Sequence, residues 1–271
     1  MPLCLSIPDA TSPAGAAALR ALEQAQTSSP ALPWKFVSLR LAAADAPFSK
    51  DEASAGSINW RTSRLSCGAV ELVCPANRSL LDKALPAAAY IMNSCNTAQI
   101  IIEFVSPHEE QLSEKELQRL HQLAHDLSLQ VSVDVAAPRD VMRQRMENIL
   151  SLPDRRLGVA IDTGNYLVAN PTSSVEVMLQ RNIHQLDAIL LRDAPAEVSG
   201  NSPETRLPLG GDGLIDYARA AQIIQSVEFS GPCVFDLSSN VDGSSDSACW
   251  IEHPHVADAA EHLKICGWFP Q

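Results

Sequence analysis

The chain has 271 residues, a formal net charge of −12, and a composition that is 46% hydrophobic and 19% charged. Such a chain can bury a sizeable core as one large α/β barrel or as two small domains, and it is neither disordered nor membrane-like. Its acidity also sets it against a nucleic-acid partner, because the 20 lysines and arginines are scattered and gather no basic patch against a phosphate backbone.

Taken in chain order, short apolar runs alternate with longer amphipathic ones. Leu3–Ile7 reads as a strand, Ser12–Gln26 as an alanine-rich helix and Phe36–Leu41 as a second strand. Residues 43–66 mix Pro, Ser, Gly and charge without a period, a long loop for a compact domain. Ala69–Cys74 is a third strand, followed by a helix over Ser79–Asn96. Gln99–Val105 is a strongly β-like fourth strand. Ser113–Leu127 opens with a capping box, Ser113-Glu114-Lys115-Glu116. Gln130–Val135 is strand five, Asp140–Leu150 a helix and Leu157–Asp162 strand six. A helix over Ser173–His184 follows, with its cap within Thr172–Ser174. Ala188–Arg192 is strand seven, Ile215–Ser226 a helix, Cys233–Leu237 strand eight and Val256–Ile265 the last helix.

Eight strands alternating with helices predict parallel βαβ units closed into a single (β/α)8 TIM barrel over residues 1–271. An open doubly wound sheet is the alternative, but no G-x-G-x-x-G follows the first strand. No apolar run approaches the roughly 18 residues of a membrane span. The start, MPLCLSIPDA, lacks the regions of a secretory signal. Seven cysteines, an odd number with no C-x-x-C pair, read as free thiols in a reducing cytosol rather than a disulfide framework. The expected setting is cytoplasmic, with a small-molecule substrate and no membrane partner; a homo-oligomer is left open.

Reacting groups in such barrels sit at the C-terminal ends of the strands. Side chains two apart share a face. Read this way, strand four ends with Glu103, strand five with Asp134, strand six with Asp162 and strand eight with Asp236, while strand seven places Leu190 and Arg192 on one face. Carboxylates that end apolar strands need a partner, since burying a lone charge is costly. Each can cap the following helix. Several converging together suit Mg²⁺ or Mn²⁺, with Zn²⁺ less favoured.

Two longer stretches and the segment between them carry a resemblance. LGVAIDTGNYLVANP (Leu157–Pro171) and PLGGDGLIDYARAAQIIQSVEFSGPCVFDLS (Pro208–Ser238), with AILLRDA (Ala188–Ala194) between, resemble the xylose isomerase-like superfamily of sugar phosphate isomerases and epimerases. The resemblance implies a metal-dependent barrel that moves a proton next to a sugar carbonyl. It places the metal ligands on Asp134, Asp162, Leu190 and Asp236, the acid/base pair on Asp134 and Asp236, and the substrate-binding histidine on Asn165. Of these only Asp162 is the family's residue type. Asp134 and Asp236 are each a methylene shorter, and Leu190 has no ligand atom. The metal ligands expected here are therefore Asp134, Asp162 and Asp236, completed by another group such as Glu103 or absent altogether. Arg192 is an alternative source of positive charge that could pair with an anionic substrate.

Trp60, in the loop after strand two, could stack on a sugar ring or simply pack the loop down. His253 and His255 follow strand eight and could reach the mouth, although loop histidines are commonly just solvated. His121 and His125 lie four apart on an outer helix and lack the Glu of H-E-x-x-H, so they read as a surface feature. Gly210, Gly211 and Gly213 precede a helix and shape that loop or hold a phosphate. Three functions stay open: a sugar or polyol isomerase or epimerase with Asp134 and Asp236 as acid and base, a lyase or dehydratase on the same scaffold, and a catalytically degenerate barrel that binds a small ligand or a protein. An endonuclease is disfavoured by the charge and the missing histidines.

Overall fold

Runs rich in Val, Ile and Leu, bounded by polar turns, form eight strands in the computed structural model, which describes residues 1–7, 19, 22, 34–41, 65–74, 77, 80–95, 97, 99–104, 112–193, 213–236 and 254–269. The strands are β1 (Leu3–Ile7), β2 (Phe36–Leu41), β3 (Ser66–Val73), β4 (Gln99–Glu103), β5 (Gln130–Asp134), β6 (Leu157–Asp162), β7 (Ala188–Leu191) and β8 (Cys233–Phe235). They pair in sequence order into a closed parallel barrel, with β8 returning to β1 through Leu3↔Cys233, Cys4↔Val234 and Leu5↔Phe235.

Seven helices are described: α1 (Leu81–Cys95), α2 (Glu114–Asp126), α3 (Arg139–Leu150), α4 (Thr163–Ala169), α5 (Val175–Asn182), α6 (Tyr217–Ser226) and α7 (Pro254–Ile265). The expected TIM barrel is therefore the observed fold. Of the helix expected over Ser12–Gln26, Leu19 and Leu22 are described, and both are helical and buried. The loop expected over 43–66 lies outside the described residues as far as position 64. Two elements were not anticipated: a 3-10 turn over Pro153–Arg155, and α4, which starts directly on the end of β6 because Asp162 caps it.

The alternation of strand side chains sorts the apolar residues into two cores. Leu5, Val70, Ile100, Ile161, Ile189 and Phe235 face outward and join the helices in one large buried cluster. Cys4, Ala69, Ile101, Ala160, Ala188, Leu190 and Val234 form a separate small cluster inside the barrel. Helix periodicity completes the outer core: α2 buries Leu117, Leu120 and Ala124, and α3 buries Met142, Met146 and Ile149. These positions recur at three- and four-residue steps, the spacing of one helix face. Among the described residues no helix is long and apolar enough to cross a membrane.

Candidate functional site

One inward step above the apolar cluster, toward its C-terminal end, every strand presents one polar residue. In order these are Ser6, Arg40, Glu71, Glu103, Asp134, Asp162, Arg192 and Asp236. The parity follows from the pleat: Cys4 and Ser6 share a face, as do Ala69 and Glu71, Ile101 and Glu103, Ala160 and Asp162, Leu190 and Arg192, and Val234 and Asp236.

Arg192 is the hub. Its guanidinium is 1% exposed and reaches four carboxylates from four strands. Nε donates to Asp236 Oδ2 at 2.9 Å, and Nη1 to Asp162 Oδ2 at 2.5 Å. Nη2 lies 3.2 Å from Glu71 Oε2 and 2.6 Å from Glu103 Oε2. Thr163 fixes the backbone beneath it, accepting from Arg192 N at 2.9 Å and donating to the Arg192 carbonyl at 2.8 Å. Arg40 pairs with Glu103 through Nε and lies 3.6 Å from Asp236 Oδ2 through Nη1; its side chain is 18% exposed. Ser6 Oγ donates to Glu71 Oε1 at 2.7 Å. Glu71, Arg40 and Ser6 escaped the reading of strand ends. The signal that would have found them is the same alternation, one polar residue two positions beyond a small or apolar interior one.

The other expected residues are placed as follows. Asp134 Oδ1 accepts the amides of Ala136 and Asp162, each at 3.0 Å. Asp162 Oδ1 accepts the Asn165 amide at 3.1 Å, so this residue both caps α4 and holds Arg192. Asn165 is buried, with Nδ2 donating to the Phe104 carbonyl at 2.9 Å. Leu190 is fully buried in the interior apolar cluster, one layer under Arg192. Trp60, His253, Gly210 and Gly211 lie outside the described residues, as does the side chain of His255. Gly213 packs against the Asp193 carboxylate, which accepts the Leu214 amide at 2.9 Å, so an internal anion takes this turn. His121 Nε2 lies 2.8 Å from both Asp154 Oδ1 and the Pro153 carbonyl, a tie between outer segments.

The electrostatics of this layer are unusual for carboxylates. Burial, together with the neighbouring Asp162 charge, pushes the Asp134 carboxyl up to about 7 against the two amide bonds and Arg192. Burial likewise lifts Glu71 to about 7, helped by Glu103 and opposed by Arg192 and Arg40. For Arg192 burial works in the opposite direction, but Glu103, Asp162, Asp236 and Glu71 together hold its pKa well above the ordinary value. Five carboxylates thus surround two permanent cations, and two of the five can carry a proton near neutrality.

No family model matches the chain, and no curated protein sequence does. Solved structures do. The IolI protein with a bound zinc atom aligns over 100% of both chains at 13% identity and a TM-score of 0.62. A xylose isomerase domain protein from Planctomyces limnophilus aligns over 90% of this chain and 91% of its own at 14% identity and a TM-score of 0.65. D-psicose 3-epimerase from Clostridium cellulolyticum, solved with D-tagatose, aligns over 98% and 99% at 9% identity and a TM-score of 0.63. The chain has the fold of the xylose isomerase-like barrels. That likeness covers the whole described barrel and concerns its architecture.

Because a xylose isomerase-like barrel such as IolI can hold zinc, the strand-end donors must be tested for a divalent ion. As arranged, they do not suit one. Asp162 Oδ2 and Asp236 Oδ2 both bond Arg192, and Asp134 Oδ1 is committed to two amides. The strand-seven position offers Leu190, without a donor atom. Among the described residues no group of three His, Cys, Asp or Glu side chains is placed to share an ion. A groove of about 550 Å³ opens at the opposite, N-terminal end of the barrel, lined in part by Gln99, Gln130, Arg155, His184, Asp187 and Glu228. Its amides are committed internally: Gln99 Nε2 donates to Ser132 Oγ at 2.5 Å, and Gln130 Nε2 to the Arg155 carbonyl at 3.0 Å. Size alone does not make it the functional site, since the perturbed carboxylates lie at the other end.

Proposed function

We propose that the chain is an isomerase or epimerase that binds a sugar or sugar-like hydroxycarbonyl compound at the C-terminal mouth and moves a proton at the carbon beside the carbonyl. The observation that carries this is Asp134, a buried carboxyl held at about 7 at the end of β5. A general acid or base works best when its pKa lies near the working pH. Asp236, ion-paired with Arg192 and Arg40, is the complementary base. In the forward step Asp236 accepts the carbon-bound proton, the electron pair moves to the carbonyl oxygen, and protonated Asp134 returns a proton to carbon. The part-exposed Arg40 supplies positive charge against the enediolate oxygen, while buried Arg192 holds the surrounding carboxylates in place. Glu103 and Asn165 hold the frame of the site through Arg192 and the Phe104 carbonyl. No step is routed through a divalent ion. Likeness to an epimerase solved with a ketohexose supports the substrate class. The free thiols among the described residues suit a reducing, cytoplasmic setting.

The test is solvent exchange. Ketohexoses and ketopentoses are incubated with the protein in D₂O and followed by NMR. Deuterium is expected next to the carbonyl, and Asp134→Asn should slow formation of the deuterated epimer by about 10²–10⁴-fold. Unchanged epimer formation in that variant would remove Asp134 from the chemistry. The apolar surroundings of Leu190 favour a second reading, a barrel that binds such a compound without turning it over. Saturable sugar binding with no exchange would establish that one instead.

A further inference from the structure

We infer that Arg192 is a built-in counter-cation standing where a divalent ion would otherwise sit, and that removing it uncovers an oxygen-only cation site made by Glu71, Glu103, Asp162 and Asp236. The inference is independent of the proton-transfer reading, because it is tested without substrate.

Four carboxylates from β3, β4, β6 and the end of β8 converge on one guanidinium, with N–O separations of 2.5 to 3.2 Å. All four are 5% exposed or less. Carboxylates so buried repel one another and need a cation among them. A divalent ion and a guanidinium are alternative answers to that need. The chain supplies the second from its own Arg192 side chain, two residues past Leu190, where no ligand atom exists. Arg40 cannot replace it unaided, since its pairs are with Glu103 and Asp236 and leave Asp162 on the far side of the ring. Truncating Arg192 would free the volume of a guanidinium and leave hard oxygen donors with no nitrogen or sulfur among them. That set favours Mn²⁺ or Mg²⁺ over softer ions. The carboxylates would have to close in from guanidinium distances to about 2.0–2.2 Å, a move within reach of the two glutamate arms.

The experiment compares the wild-type protein, Arg192→Ala and Arg192→Met, each stripped with EDTA and titrated with Mn²⁺. Binding is read by EPR of free Mn²⁺ and by the shift in Tm. The wild type is expected to bind none at the barrel mouth and to show no Tm shift. Each variant should be destabilised when metal-free, should bind about one Mn²⁺ per chain, and should regain part of its Tm on binding. A variant that does not fold alone is refolded with and without Mn²⁺, and recovery only with the ion has the same meaning. Wild-type binding of one Mn²⁺ that Asp162→Asn abolishes would overturn the inference. So would a variant that folds yet binds none, or one that fails to fold in either condition.

Discussion

Asp134 and Glu71 show what one buried carboxyl does to a whole protein. Each has a folded pKa of about 7, against ordinary values of 3.8 and 4.5. Below about pH 4 both the folded and the unfolded chain hold the proton, and neither residue affects stability. As pH rises the unfolded chain gives up its proton first. Stability therefore falls through the window from about 4 to 7, and above 7 the loss is complete. Urea midpoints of the wild type should decline across that window more steeply than those of Asp134→Asn, whose amide cannot titrate. Equal slopes would show that Asp134 is not protonated in the folded state. The same residues mark how far the site could be read in the sequence. Glu103, Asp162, Arg192 and Asp236 were found because they end apolar strands, and the structure draws them together. Glu71 was missed because Leu72 and Val73 continue its strand, so its place in the ring depends on register with Ile101 rather than on any local ending. That Arg192 would turn inward to four carboxylates rather than out to a substrate could not be read at all, since it requires knowing which strands are neighbours across the barrel.

At the level of single elements, local chemistry explains what was legible. The Ser113–Glu116 capping box forms as its spacing predicts: Ser113 N donates to Glu116 Oε2 at 2.7 Å, and Glu116 N to Ser113 Oγ at 3.4 Å. Ser113→Ala should cost about 1 kcal/mol, measured by denaturant unfolding. No loss would mean that packing of Leu117 and Leu120 alone sets the start of α2. Ser174 caps α5 in the same manner, accepting from Val177 N at 3.1 Å. By contrast α4 was hidden. Its seven residues are too few to show a period, and its cap, Asp162, had already been read as the end of a strand. The residue serves both elements at once. Strand lengths were read slightly long at β4, β5, β7 and β8, because apolar or alternating residues persist past the last residue of each strand.

For the whole molecule, closing the barrel is the demanding step. β2 and β3 share six register partners, whereas β1 and β8 share three. That short seam joins residues more than two hundred positions apart, so its few contacts carry a large loop-closure cost. Two devices hold it. Above, Asp236 bonds Arg192 and pairs with Arg40 of β2, bridging the seam from inside. Outside, Phe235 of β8 meets Trp268 edge-on at 5.1 Å and Trp34 at 5.6 Å, while Trp34 meets Phe269 at 5.2 Å. Trp268 Nε1 is anchored on the Tyr217 carbonyl at 3.0 Å, which ties the segment after α7 to α6. Trp268→Ala removes the end of this aromatic row that packs on Phe235 and is anchored on α6, and should cost about 3–5 kcal/mol. Because the tryptophan covers the seam, its loss should open that seam before the rest. Amide exchange at Leu5 and Phe235 should accelerate at denaturant concentrations where Ile101 and Val133, in the β4–β5 pair, are still protected. Equal acceleration in all eight strands would mean that the barrel opens only as a unit and that the three-pair β1–β8 seam is no weaker than the six-pair β2–β3 ladder.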